Sequence, residues 1–227
     1  MTRKKWWIGA ALLLTAGGAV ALAVAERPDE PAAREASERP TLALLTSLPL
    51  MFGESFGLKG GGSPALTRLE QRYNVVPIPV ADAASLNGQK LLLIAHPRAQ
   101  PAEVLVELDQ WVRGGGRLVL LADPLLSWES VRPIGDPLRP PPAFADTGLL
   151  AHWGVELSAD GSEEIPVETP SPGRLASKRC EVDDGGFIAR CAIGKGRATI
   201  IADADFLNGE PTNLDLLIAE LAGLERP

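Results

Sequence analysis

The sequence is poor in the residues that most often perform catalysis or bind nucleic acid. Its 227 residues include only two Cys, two His, one Tyr and five Phe. The 22 Lys and Arg are outnumbered by 29 Asp and Glu, which gives a formal charge of −7. Nucleic-acid-binding proteins usually present a basic face and aromatic side chains for base stacking. The composition therefore excludes nucleic acid as an expected partner.

Two common kinds of active site are also missing. A zinc site needs about four ligands at suitable spacing, and none accompany Cys180 and Cys191. A nucleophile elbow needs Ser or Cys on a tight turn after a central strand, but the apolar run at residues 91–95 is followed by His96-Pro97. Proline supplies neither a nucleophile nor a backbone N–H for an oxyanion hole. We therefore expect no catalytic residue, no metal and no cofactor.

The first 25 residues have the pattern of a membrane anchor. Residues 6–25 carry no charge and follow Arg3, Lys4 and Lys5, as in a single membrane crossing with its basic flank in the cytoplasm. The alternative is a signal peptide cleaved after Ala25, at a small-x-small site. Either interpretation predicts that the rest of the chain is exported.

A charged, proline-rich segment follows this run. Residues 26–40 contain both charge signs and three prolines, without a large apolar residue. Such a segment cannot bury an apolar face, so we predict a flexible or extended tether. One folded domain is then expected over residues 41–227.

The two cysteines flank a strong turn signal. Residues 183–186, Asp-Asp-Gly-Gly, lie between two short stretches typical of strands and predict a small β-hairpin. This hairpin would place Cys180 and Cys191 nearly opposite each other. In an oxidising compartment a disulfide is favoured over a catalytic thiol, because neither Cys has a neighbouring His.

Residues 90–123 show the clearest fold pattern. Continuous apolar runs at residues 91–95 and 118–122 are typical of strands buried on both faces. Between them, apolar residues recur at the spacing of one helix face: Val104, Leu105, Leu108, Trp111 and Val112. Two strands joined by a crossover helix run parallel. This βαβ unit makes the domain an α/β domain.

Further elements extend the same architecture. Strands are predicted at residues 42–47, 74–80 and 197–203, and Pro77 and Pro79 place the second near a sheet edge. Helices are predicted after Ser63-Pro64, over residues 146–154, and from Thr212 to the C-terminus. The expected fold is a mostly parallel sheet with helices on both faces, plus the small hairpin.

Polar residues follow the predicted parallel strands: Ser47, His96, Asp123, Asp203 and Asp205. Open α/β folds bind ligands at the carboxyl ends of their strands, so these side chains should line one pocket. Trp128, in a long loop, and Glu54, in a glycine-rich loop, are predicted beside it.

Each of these residues has a structural alternative. The carboxylates could cap turns, and His96 could satisfy a backbone carbonyl. The Asp203-x-Asp205 spacing resembles the paired carboxylates of glycosidases or metal sites, but it is a weak signal. The glycine-rich loop at residues 51–62 lacks the spacing of a phosphate-binding loop.

Turn motifs of the domain suggest a family. The first βαβ strand leads to Pro97, the helix ends in a W-V-x-G-G-G turn at residues 111–116, and the next strand ends in Asp123-Pro124. Residues 149–157 and 194–207 continue the match. The chain resembles the periplasmic domain of gliding-motility-type ABC-transporter auxiliary proteins, and related membrane-anchored domains with a class I glutamine-amidotransferase-like, flavodoxin-like fold.

The resemblance implies a function without catalysis, because such domains lack the Cys–His machinery of true amidotransferases. We expect a single-pass protein of the bacterial inner membrane whose periplasmic domain binds a ligand or partner, an ABC permease or ATPase above all. The alternative is an envelope hydrolase, acting on glycan or through a metal, that uses the strand-end carboxylates. A third interpretation is a purely structural envelope subunit.

Overall fold

The computed structural model describes residues 32–52, 62–159, 173–209 and 214–226. The strands are β1 (Thr41–Thr46), β2 (Asn74–Pro77), β3 (Leu91–Ala95), β4 (Arg117–Leu121), β5 (Val155–Ser158), β6 (Arg174–Ser177), β7 (Glu181–Val182), β8 (Ile188–Ile193) and β9 (Gly196–Ile201). The helices are α1 (Pro64–Glu70), α2 (Ala83–Leu86), α3 (Ala102–Arg113), α4 (Leu149–Trp153) and α5 (Asp215–Glu225), with short 3₁₀ helices at Ala36–Glu38 and Asp205–Asn208.

Seven strands form one mixed sheet in the order β2-β1-β3-β4-β9-β8-β7. The first five of these run parallel to one another. β8 pairs antiparallel with β9, and β7 pairs antiparallel with β8. The predicted βαβ unit is confirmed: β3 and β4 pair in parallel, α3 connects them, and every residue of β3 is buried. β2 pairs only with β1, so Pro77 does lie in an edge strand, but the strand ends there and Pro79 of the predicted strand 74–80 lies beyond it.

Helices cover both faces of the sheet, as the apolar pattern predicts. Alternate strand residues point to opposite faces, so Ala43 and Leu45 pack with α2, α3 and α4. Leu42 and Leu44 pack with α1, α5 and the Asp205–Asn208 turn. The structure is therefore three-layered, with the sheet between two apolar cores.

The cysteine hairpin is part of the main sheet rather than a separate unit. β8 pairs with β9 along its whole length, and β7 pairs with β8. Cys180 and Cys191 form a disulfide across this hairpin. A strand that the sequence did not predict, β6, pairs with β5 in a second, two-stranded sheet. Short polar strands of this kind carry little periodic signal.

The predicted helix starts are partly reproduced. Ser63 caps α1, since its hydroxyl accepts a hydrogen bond from Leu66 N, and Pro64 occupies the first helical position. α5 begins at Asp215, whereas the predicted start, Thr212, lies outside the described residues.

The second half of the predicted tether contacts the domain. Arg34 makes a bidentate ion pair with Glu225 and lies 5.8 Å from the ring centroid of Tyr73. Its backbone N–H donates to the carbonyl of Gln71, and the Arg72 side chain donates to the carbonyl of Ala32. Residues 32–40 are thus held against the ends of α1 and α5.

Among the residues that the structure describes, no helix combines the length and apolarity needed to cross a membrane. The predicted anchor, residues 6–25, lies outside those residues.

The turn into β9 allows a sharp test of this packing. A Cβ atom at Gly196 would clash with the backbone carbonyl oxygens of Val112 and Gly116. We expect Gly196→Ala to lower the free energy of unfolding by about 2–3 kcal/mol, as overpacking does. The measurement is denaturant unfolding followed by circular dichroism.

Gly223 in α5 is the matched control. A Cβ atom there meets nothing within 4 Å, so Gly223→Ala should be neutral or stabilising by about 0.5–1 kcal/mol. Equal unfolding midpoints for Gly196→Ala and the wild-type chain would contradict the close approach of β9 to α3.

Candidate functional site

Three carboxylates meet at the carboxyl edge of the sheet. β4 and β9 are parallel neighbours, and Asp123 follows β4 while Asp203 and Asp205 follow β9. One oxygen of each carboxylate lies within 4.8 Å of the others. The structure therefore brings together three of the seven predicted site residues, here called the Asp cluster.

Backbone N–H groups occupy most of the oxygens of the Asp cluster. Asp123, only 1% exposed, accepts hydrogen bonds from Leu125 N at 2.8 Å and Ala204 N at 3.0 Å. Asp203 accepts from Asp205 N at 2.7 Å. Both oxygens of Asp205 accept from Ser127 N, at 2.9 and 3.1 Å. The carboxylates thus act as turn and loop acceptors.

Burial makes the Asp cluster hold a proton near neutral pH. The pKa of Asp203 is raised to about 7, first by burial and then by the negative charges of Asp123 and Asp205 and a hydrogen bond between the Asp203 and Asp123 carboxyls, against the lowering effect of the Asp205 N–H. Burial also raises the pKa of Asp205 to about 6, again reinforced by Asp123. A proton shared between adjacent carboxyls relieves their mutual repulsion.

The same residues anchor the long segment between β4 and α4, residues 122–148, here called the edge loop. At its start Asp123 binds Leu125 N, and near its end Phe144 N donates to the carbonyl of Asp123 at 2.7 Å. Leu126 N donates to Pro142 O at 2.9 Å. Asp123 therefore closes both ends of the edge loop.

His96 is a structural residue in this arrangement. It is fully buried, has a left-handed backbone (φ 46°), and its Nε2 lies 2.9 Å from the carbonyl of Pro141 in the edge loop. Burial lowers the pKa of its imidazole, so the neutral ring donates from Nε2. Ser47 Oγ donates to the His96 carbonyl at 2.5 Å. These contacts join β1, β3 and the edge loop.

The other two predicted residues do not join the cluster. Trp128 is half-buried and packs against the core on the α1 and α5 side of the sheet. Glu54 lies outside the described residues.

The chemistry available at this edge is limited. Carboxylate oxygens are the ligands that Mg²⁺ and Ca²⁺ prefer, so the residue types of the Asp cluster fit a hard cation. Five of the six oxygens, however, already accept a backbone hydrogen bond. In the described part of the chain, no Ser, Cys or Lys nucleophile is paired with a base at this edge. In this arrangement the carboxylates position the backbone of the edge loop and of the turn after β9.

Two surface features were missed by the sequence reasoning. The first is a set of exposed apolar side chains on the edge loop: Leu125, Val131, Ile134 and Leu138. The second is a set of cations at the starts of the parallel strands: Lys90, Arg117, Lys195 and Arg197. Both signals are visible in the sequence, as apolar residues inside a proline-rich loop and as a basic residue beside each buried run.

Comparison with protein families gives one assignment. Residues 39–165, more than half of the chain, match the family described as an ABC-type uncharacterized transport system. No curated protein sequence matches the chain.

Three solved structures are similar to this chain, and the one with a TM-score above 0.5 shows a likeness of fold. The mmIFT52 N-terminal domain is 13% identical with a TM-score of 0.54, covering 83% of this chain and 98% of that one. The exo-β-1,4-mannosidase Op5Man5 from Opitutaceae bacterium strain TAV5 is 14% identical (TM-score 0.46), with 81% of this chain covered and only 36% of the mannosidase. The cytoplasmic protein STM3548 from Salmonella typhimurium is 12% identical (TM-score 0.46), with coverages of 81% and 98%. This chain thus spans about a third of the mannosidase.

The raised pKa values predict a pH-dependent stability. The folded pKa of Asp203, about 7, exceeds the unfolded value of about 3.9. Its contribution is therefore fully present below about pH 4 and is lost as pH rises through 7. Asp203→Asn should flatten this decline, because the amide oxygen still accepts from Asp205 N while the charge is gone.

We expect Asp203→Asn to match wild type near pH 4, where the contribution of Asp203 is still fully present. At pH 8 it should be more stable by about 1 kcal/mol, roughly 2–4 °C in Tm, since the partial exposure of Asp203 screens the full effect. Thermal unfolding across this pH range is the measurement. Asp184→Asn, in the exposed hairpin turn, is the control and should leave the slope unchanged. Parallel pH profiles for Asp203→Asn and wild type would contradict the proton-sharing cluster.

Proposed function

Because the chain belongs to a family of auxiliary proteins of ABC-type uncharacterized transport systems, we propose that it is a non-catalytic accessory subunit of such a system. Its folded domain binds the exported part of an ABC permease, and through the permease it associates with the ATPase. The observation that carries this proposal is the use of the Asp cluster: the carboxylates that could have been catalytic instead hold the edge loop in place.

The edge loop is the surface through which we propose that the partner binds. Six large apolar residues are exposed in the described part of the chain, and four of them lie on this loop. Ile134 is 93% exposed and Leu138 is 58% exposed. Several exposed apolar side chains on one well-anchored loop favour a protein–protein contact site. The loop is held by hydrogen bonds to Asp123, Asp205 and His96.

The proposed location is the periplasmic side of the bacterial inner membrane. Residues 6–25 would anchor the chain, with cleavage after Ala25 as the alternative, and residues 26–40 would link the anchor to the domain. The disulfide between Cys180 and Cys191 supports an oxidising compartment.

The strand order supports the finer assignment of the fold. Counted in their own chain order, the parallel strands follow the sequence 2-1-3-4-5, which is that of flavodoxin-like sheets. We infer a flavodoxin-like, glutamine-amidotransferase-like domain related to gliding-motility-type auxiliary proteins. The strand order reverses between β1 and β3. At this point Ser47 Oγ donates a hydrogen bond to the carbonyl of His96, and Thr46 Oγ1 donates to the carbonyl of Ala95.

One observation favours the competing hydrolase. A carboxyl with a pKa of about 7 beside a second carboxyl is the pattern of a general acid paired with a base. Hydrolysis of esters, amides or glycosides by the purified full-length chain, abolished by Asp123→Asn or Asp205→Asn, would establish the hydrolase and refute the binding function.

The edge loop gives the direct test of partner binding. We expect the double variant Ile134→Asp, Leu138→Asp to reduce the recovery of an ABC permease and ATPase at least fivefold, because charges replace the apolar contact surface. The measurement is crosslinking of the tagged full-length chain in membranes, affinity capture and quantitative mass spectrometry. Thermal unfolding should be unchanged, since both side chains are exposed.

Val106→Asp is the control, because Val106 is similarly exposed, at 56%, but belongs to α3 and not to the edge loop. Undiminished recovery with the double variant would move the contact off the edge loop. Recovery of neither permease nor ATPase with the wild-type chain would refute the accessory role itself.

A further inference from the structure

The amino edge of the sheet, opposite the Asp cluster, carries a concentration of positive charge. Six cationic residues lie where parallel strands begin and where α3 and α5 end: Lys90, Arg113, Arg117, Lys195, Arg197 and Arg226. We call this surface the basic edge. Backbone hydrogen bonds hold it together, since Arg117 N donates to Lys90 O and Lys195 N donates to Arg113 O.

Most of this charge is not neutralised within the described part of the chain. Arg117 donates to the carbonyls of Leu224 and Arg226, and Arg197 also donates to Arg226 O. These bonds satisfy the end of α5 and leave both guanidinium charges in place. Among the six cations, Arg113 alone forms an ion pair with a described carboxylate, Asp109 at 2.7 Å.

Two acids, Glu107 and Glu225, line the same cavity as Lys90 and Arg117 and offset only part of this charge. Glu107 accepts a hydrogen bond from Ala83 N at 2.7 Å. Glu225 is paired with Arg34 and accepts a hydrogen bond from the Tyr73 hydroxyl at 2.7 Å. The basic edge therefore has a net positive charge on a chain whose formal charge is −7.

The basic edge is broad rather than deep. Lys90 and Arg117 line an open cavity of about 1280 Å³. Beyond Arg113 the surface continues into a second cavity of about 910 Å³, lined also by His152, Lys178 and Arg179. Such a surface suits an extended array of anions rather than one small ion.

The chain enters the domain at this same edge. Asn74 N donates to the carbonyl of Pro40 at the start of β1, and Pro40 and Thr41 line the same cavity as Lys90. From Ala25, the end of the predicted anchor, to Ala32 the chain can span at most about 25 Å. An anchored chain must therefore keep the basic edge close to the bilayer surface.

We propose that the basic edge rests on the membrane and binds the phosphate groups of anionic lipids. The inference relies on the anchor at residues 6–25 in the proposed function. Lys and Arg near an anionic leaflet are attracted to it over about a Debye length. In this orientation the edge loop points away from the bilayer, toward the exported part of the partner.

The test uses the full-length chain in nanodiscs that carry a quencher on the lipid headgroups. A fluorophore is attached at Asn87→Cys, an exposed position on the cavity of the basic edge. We expect at least twofold stronger quenching with phosphatidylglycerol present than with phosphatidylcholine alone, and loss of the difference at high salt. Lys90→Glu and Lys195→Glu should each reduce the difference by about half or more. Arg98→Glu, exposed at the opposite edge, is the matched control and should have no effect.

The outcomes separate this inference from the proposed function. Extraction of the chain from membranes by alkaline carbonate would refute the anchor, and the inference with it. Firm anchoring with equal quenching in both lipids would overturn the inference alone. If inorganic phosphate bound the chain in the absence of lipid while quenching stayed equal in both lipids, the basic edge would be a site for free anions and the lipid proposal would be wrong.

Discussion

The parallel alignment of five strands is the constraint on which the rest of the structure depends. It places the starts of these five strands on one edge of the sheet and their ends on the other. Residues that are far apart in the chain therefore become neighbours at each edge. Asp123 and Asp203 are brought together in this way, as are Lys90, Arg117 and Arg197. The result is a domain with an acidic carboxyl edge and a basic amino edge.

The two edges use charge differently. At the carboxyl edge the carboxylates are buried or half-buried, so they must accept hydrogen bonds or share protons, and the edge loop supplies the N–H groups. At the amino edge Lys90 and Lys195 are exposed, whereas Arg117 and Arg197 are half-buried and donate to the carbonyls at the end of α5. Charged groups therefore fix backbone at both edges, and the exposed Lys side chains of the amino edge carry charge that an external partner can reach.

Much of the architecture could be predicted because its signals are local. The apolar runs of β3 and β4, the stripe of α3 and the Ser63 cap each depend on residues close in sequence. Two features could not be predicted from the sequence: the pairing of β8 with β9 and the existence of β6. Both depend on contacts between short segments in which apolar and polar residues alternate only weakly. The expectation that residues following parallel strands meet at one edge of the sheet holds for Asp123, Asp203 and Asp205.

The sequence could not show which groups the carboxylates of the Asp cluster bind. Whether a carboxylate faces a substrate or a backbone N–H depends on the path of the edge loop, and nothing in a D-x-D spacing encodes that path. His96 illustrates the same point: its ring lies at the predicted edge, but it is fully buried and bonded to Pro141. A polar residue at a strand end is thus evidence of position, and only its hydrogen-bond partners reveal its role. Here those partners are the backbone of a loop that presents apolar side chains.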